Sequence, residues 1–139
     1  MIKKITFKLF LISLFFTSLA SSEEIKTIGK FKDWETVVYL NGTDKVCFAQ
    51  SKPVLQSPKN NVREARLFIS FRPSEKISDE VSITSGYEYN VQNAILAKSG
   101  KNKIKFDISK DNCAWIANNK VEKKMINVMK KGSRIMITG

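Results

Sequence analysis

The residues with the most chemical reach in this chain are its two thiols, Cys47 and Cys113, and no histidine accompanies them anywhere in the 139 residues. Without an imidazole, neither a Ser-His-Asp nor a Cys-His arrangement can activate a nucleophile, and His-ligated metal chemistry is closed as well. Two thiolates alone do not fill the tetrahedral shell of a usual zinc site. The carboxylate pairs Glu23-Glu24 and Asp79-Glu80 are neighbours in sequence. Glycosidase chemistry needs two carboxyls facing across a cleft, so adjacency is read as solvated charge. The six glycines are scattered at turns and form no phosphate-cradling loop. The sequence therefore points to no catalytic residue, no metal site and no cofactor. Asn41-Gly42-Thr43 matches the glycosylation pattern but is better explained as a turn.

What chemistry remains is cross-linking and charge. In an oxidising compartment an even cysteine count suggests a Cys47–Cys113 disulfide, worth roughly 4 kcal/mol for so long a loop on the chain-entropy view. Two buried free thiols are the alternative. The charge candidate is a run near the C-terminal end. At 100° per residue, Lys120, Lys123, Lys124, Lys130 and Lys131 gather on one helical face, and Arg134 follows directly. This set could bind an anion, or it could be the plain solvated face of an amphipathic helix. Trp34 and Trp115 sit inside apolar strand patterns, which favours core packing over ligand stacking.

The elements that must position these residues are mostly strands. Trp34–Leu40 runs into Asn41-Gly42, a hairpin signal, and Val46–Ser51 returns. Pro53–Arg63 reads as a long loop. Ala65–Arg72 alternates, with Leu67, Ile69 and Phe71 on one face, and Pro73 ends it. Further strands are predicted over Glu80–Thr84, Asn93–Ala97, Lys103–Ile108, Cys113–Ile116 and Arg134–Thr138. One segment has helical period instead: Val121, Met125, Val128 and Met129 share a face over Lys120–Lys131, with Ile126 at its border and Glu122 toward the apolar side. Asn118 or Asn119 can cap it and Gly132 can stop it. The class expected is mainly β: an antiparallel sandwich with one short α-helix in the C-terminal half.

The first twenty residues have the build of an export signal. Lys3 and Lys4 precede an apolar stretch from Ile5 to Phe16, interrupted only by Lys8, and Ser18-Leu19-Ala20 offers small residues for cleavage after Ala20. The uncharged run from Leu9 to Ser22 is 14 residues, short of the roughly 20 that a spanning helix needs. The expected organisation is a signal peptide at 1–20, a loosely ordered polar leader at 21–30 and one domain at 31–139. After cleavage, 21 basic residues face 13 acidic ones, a net charge of +8. Such a surface attracts anionic partners: membrane head groups, lipopolysaccharide, acidic glycans or nucleic acid without sequence preference. Of the 24 basic residues in the whole chain, 20 are Lys. A lysine-, asparagine- and isoleucine-rich composition also arises without selection for binding.

Several segments resemble the invasion-associated locus B family of exported bacterial proteins. They are Phe31-Lys32-Asp33-Trp34, Lys45-Val46-Cys47-Phe48-Ala49, Ser51-Lys52-Pro53, Phe71-Arg72-Pro73-Ser74-Glu75, Asp79-Glu80-Val81-Ser82-Ile83 with Gly86-Tyr87, Ala114-Trp115-Ile116 and Met129-Lys130-Lys131-Gly132-Ser133. Their order and spacing carry the likeness over most of residues 31–139. Lys32 stands where the family's opening motif has glycine. The resemblance implies a β-sandwich without a catalytic motif, in the periplasm or at the cell surface. It also implies a C-terminal truncation, because family members continue past Thr138-Gly139. The function expected is that of a non-enzymatic envelope or secreted protein binding a macromolecule, an anionic envelope component or a partner protein. The rival readings are an envelope hydrolase or hydrolase inhibitor, marked by two carboxylates facing across a cleft, and a purely structural envelope protein.

Overall fold

Four two-residue turns organise the strands, and each opens on a residue with positive φ: Lys32 at 56°, Gly42 at 59°, Gly100 at 55° and Asp111 at 54°. That is the handedness a tight hairpin between right-twisted strands needs. Only two of the four positions hold the glycine that adopts it freely. A computed structural model describes residues 23–139. The expected signal peptide at 1–20, and residues 21 and 22 of the expected leader, lie outside the described residues.

Around these turns the chain builds β1 (Glu23–Phe31), β2 (Trp34–Asn41), β3 (Asp44–Ser51), β4 (Arg66–Arg72) and β5 (Ile77–Thr84). Then follow β6 (Ile95–Ser99), β7 (Asn102–Phe106), β8 (Ile108–Lys110), β9 (Cys113–Trp115), the helix α1 (Asn119–Lys131) and β10 (Met136–Thr138). One seven-stranded sheet has the order β1-β2-β3-β4-β5-β9-β8, and a three-stranded sheet has the order β10-β6-β7. All pairings described are antiparallel. Among the described residues the protein is mainly β with one α-helix, consistent with the expected sandwich-like fold.

The core lies between the β4-β5-β9 part of the large sheet and a second layer made of the small sheet and α1. Leu67, Val81, Ile83 and Ala114 come from the large sheet, Ile95, Ala97, Ile104 and Phe106 from the small one, and Met125 and Ile126 from the helix. The second layer does not extend over β3: the buried cluster contains no residue of it. For that reason Phe71, opposite Cys47 at the far end of β4, is 48% exposed although it shares its face with Leu67 and Ile69. Trp34 packs against the core, as expected. Trp115 is half-buried on the opposite side of its strand from the fully buried Ala114.

The leader is a correction. Residues 23–31 form a nine-residue edge strand paired with β2 from Glu23↔Asn41 to Phe31↔Trp34. Its side chains are almost all exposed, so no apolar period marks it. Backbone pairing to β2 makes it a strand, and a bulge between Thr27 and Gly29 breaks its regular edge.

Candidate anion-binding face

The helix begins as its sequence implies. The Asn118 side chain accepts hydrogen bonds from the backbone N–H groups of Lys120 (2.9 Å) and Val121 (3.4 Å), which fill two of the open donors of the first turn. At the other end the Gly132 N–H donates to the Val128 carbonyl at 2.8 Å. Lys130 and Lys131 in the last turn favour the negative end of the helix dipole. Met125, Ile126 and Glu122 are buried, and this sets the outward direction of the rest.

All six residues of the predicted patch, Lys120, Lys123, Lys124, Lys130, Lys131 and Arg134, are exposed. Among the described residues the ion pairs are Arg66–Glu64, Arg72–Glu75 and Arg72–Glu80, so none of the six is neutralised. At 100° per residue, the five lysines span one arc of about 120° opposite the buried residues. Lys120 and Lys131 point directly away from the buried residues, Lys124 leans toward Val121, and Lys123 and Lys130 lean to the other side. Lys124 and Val121 line a groove of about 320 Å³ against β7, together with Lys103, Lys105, Asp107 and Asn118. Asp107 is held by the Ala117 N–H, which donates to its Oδ1 at 2.8 Å.

Lys103 and Lys105 are functional candidates that the helix periodicity could not reveal. Their signal was the alternation Lys103-Ile104-Lys105-Phe106, which turns both lysines outward while Ile104 and Phe106 enter the core. Their position beside α1 is a tertiary fact. The charge is distributed accordingly. Residues 23–94 carry ten basic and ten acidic side chains, and residues 95–139 carry eleven basic against three acidic, a net of +8. Of those three, Glu122 is buried and points inward, where its Oε1 accepts the Val81 N–H at 3.0 Å. Burial pushes its carboxyl above the ordinary range, the Val81 hydrogen bond opposes this, and Glu80 and Asp79 add to the rise.

The expected disulfide is a second correction: Cys47 and Cys113 are free and half-buried. Cys47 on β3 and Cys113 on β9 are separated by β4 and β5. Cys47 pairs with Phe71, whereas Cys113 reaches β4 through Thr84 at Arg66, five residues away. Three strand steps of about 4.8 Å and five residues of about 3.3 Å put them roughly 20 Å apart. A disulfide needs Cα atoms within about 7 Å.

On the outer face of the large sheet a second groove, about 470 Å³, has an apolar floor that includes Val37, Phe48 and Phe68. Phe48 and Phe68 meet edge to face at 5.9 Å. Beside them the Gln50 amide donates to Glu35 at 2.9 Å and accepts from Arg66 at 3.0 Å. That first bond holds the Glu35 carboxyl below its usual range. Each of the two grooves contains one carboxylate, Asp107 or Glu35, so neither supplies the facing pair that glycosidase chemistry uses. No protein-family model, curated protein or solved structure matches this chain.

Proposed function

We propose that this is an exported, non-enzymatic envelope or surface protein of the invasion-associated locus B type, which binds an anionic macromolecule or envelope component through the lysines of its second layer. The observation that carries the reading is the division of charge. Among the described residues, the segment from β6 to β10, which supplies the whole second layer and also β8 and β9 of the large sheet, holds the net +8, and the segment before it is neutral. Unpaired cations on one side of a small domain raise the local concentration of anions and steer their approach. The signal-like first twenty residues support placement in the periplasm or beyond.

Salt-dependent binding tests the reading. The exported form, beginning at Ser21, is expected to bind lipopolysaccharide, acidic glycans or anionic vesicles with an affinity that falls steeply with ionic strength, since exposed charges are screened beyond about 10 Å at 0.1 M. The combined change of Lys123, Lys124, Lys130 and Lys131 to Glu should abolish binding with little change in thermal stability. Binding that survives these changes, or a native protein that binds no anion, would leave the helix face as ordinary solvated charge. Export itself is checked by the N-terminus of the secreted or periplasmic protein, expected at Ser21. Intact Met1 in a membrane fraction would refute it.

A further inference from the structure

On the face of the small sheet turned away from the core, Lys103, Lys105, Met136 and Thr138 are exposed and Leu96 and Lys98 are half-buried, and its cross-strand rows can be read from the register. Met136 of β10 lies opposite Lys98 of β6, which lies opposite Lys103 of β7. The next outward row is Thr138, Leu96 and Lys105. The residues between these rows, Ala97, Ile104 and Ile137, face or pack against the core. Lys98 and Lys103 are thus like charges directly opposite one another, an arrangement that destabilises a sheet. Among the described residues no carboxylate forms an ion pair with either. In the same rows Leu96 is half-buried and Met136 is 52% exposed. Beside β7, Lys124 joins this surface across the groove it shares with Lys103 and Lys105.

Resting on the anion-binding reading above, we infer that this face docks on an anionic phospholipid bilayer. Phosphate headgroups spread over a plane relieve the Lys98–Lys103 repulsion and meet cations that are themselves spread over a sheet and a helix flank. On the outer face of the helix Lys120 and Lys131 are about 16 Å apart along the axis. The cations of these rows are all lysines, compact point charges on flexible stems rather than the forked guanidinium suited to bidentate capture of one group. The apolar members of the rows separate a bilayer from a soluble polyanion. Met136 and Leu96 gain nothing from a hydrated polyanion, whereas at the boundary between headgroups and acyl chains they leave water. Each lysine near such a surface contributes about 1 kcal/mol, close to a fivefold change in affinity.

Vesicle flotation with the exported form tests this. Native protein should float with vesicles containing phosphatidylglycerol and stay behind with pure phosphatidylcholine. Changing Lys98, Lys103 and Lys105 together to Gln should weaken vesicle binding about a hundredfold, the product of three such steps. Thermal unfolding of this variant should be no lower than native, because the opposed lysines are gone. Met136→Ser should weaken vesicle binding severalfold at a salt concentration that screens the lysines, and leave binding to dextran sulfate unchanged. Three outcomes overturn the inference: vesicle binding untouched by the triple change, vesicle binding untouched by Met136→Ser at raised salt, or a native protein that binds dextran sulfate but not vesicles. The last leaves the broader anion-binding reading standing. Failure to bind either probe removes both.

Discussion

The carboxylate of Glu122 on α1 accepts the backbone N–H of Val81 on β5 at 3.0 Å, in the buried interior. The bond continues the sheet by other means. The β5–β9 pairing runs from Thr84↔Cys113 to Ser82↔Trp115 and goes no further, which leaves Val81 without a strand partner on that side. A helix side chain reaches in and satisfies the donor, which would otherwise be buried and unpaired. The same contact seats the helix, and so orients the lysines on its far side.

Glu122 also makes the stability of the protein depend on pH in a defined direction. Its folded-state carboxyl titrates above the ordinary 4.5, chiefly through burial, so the folded protein holds the proton more tightly than the unfolded chain. The contribution is fully present below the unfolded value and is lost as pH rises through the folded one. Glu122→Gln keeps an acceptor for Val81 without the charge. Its stability advantage over the native protein should grow as pH rises from about 4.5, measured by denaturant unfolding at several pH values. Glu122→Leu removes the acceptor and should cost about 2 kcal/mol at acid pH.

Lys32 occupies the left-handed region at φ 56°, in the turn between β1 and β2. A side chain there costs roughly 1–2 kcal/mol that glycine avoids. Lys32→Gly, which restores the residue of the family motif that the sequence resembles, should stabilise the protein by about 1 kcal/mol, net of glycine's greater freedom when unfolded. A lower melting temperature in the variant would count against the turn geometry.

Arg72 grips Glu80 with two parallel bonds of 2.8 and 2.9 Å and reaches Glu75 at 3.0 Å. Both side chains of the Arg72–Glu80 pair are less than a quarter exposed. Arg72→Ala leaves Glu80 unpaired among the carboxylates of Asp79 and Glu122 and should cost about 2–3 kcal/mol at neutral pH. Arg72→Lys keeps the charge but loses the fork, and should recover only part of that. Urea midpoints of the two variants decide it.

Two thiols roughly 20 Å apart should both react with a maleimide under native, non-reducing conditions, giving a doubly labelled mass. Reducing agent should leave the melting temperature unchanged. A mass short by two protons, with no labelling, would restore the disulfide.

Core packing gives the largest expected loss. Met125 is fully buried between the helix and both sheets. Met125→Ala should cost about 3 kcal/mol, within the usual range for deleting such a side chain. A loss below 1 kcal/mol would mean that the helix is not seated as described.

Much of this chain's form follows from local chemistry alone. Alternation over Ala65–Arg72 and Lys103–Ile108 specified strands and the inward faces of Leu67, Ile104 and Phe106, but not that the chain changes sheet after Phe106, which leaves Ile108 48% exposed on β8. The 3.6-residue period over Lys120–Lys131 specified the helix and its lysine face and narrowed the cap to Asn118 or Asn119, because each of these signals is complete within a dozen residues. Charge content is equally legible, though the net +8 of residues 95–139 matters only once those residues are seen to supply the whole second layer, with β8 and β9 going to the large sheet. Strand order was decided by the tertiary structure alone. Cys47 and Cys113 are both strand residues, yet two intervening strands keep them apart, and no local pattern encodes which strands intervene. The same is true of β1, which owes its form to the ladder with β2 rather than to any apolar period, and of Lys103 meeting Lys124. Glu122 is the clearest case: the helical period places it toward the apolar side, but its partner there, the Val81 N–H left open where β9 ends at Trp115, is set by hydrogen bonding between segments about forty residues apart.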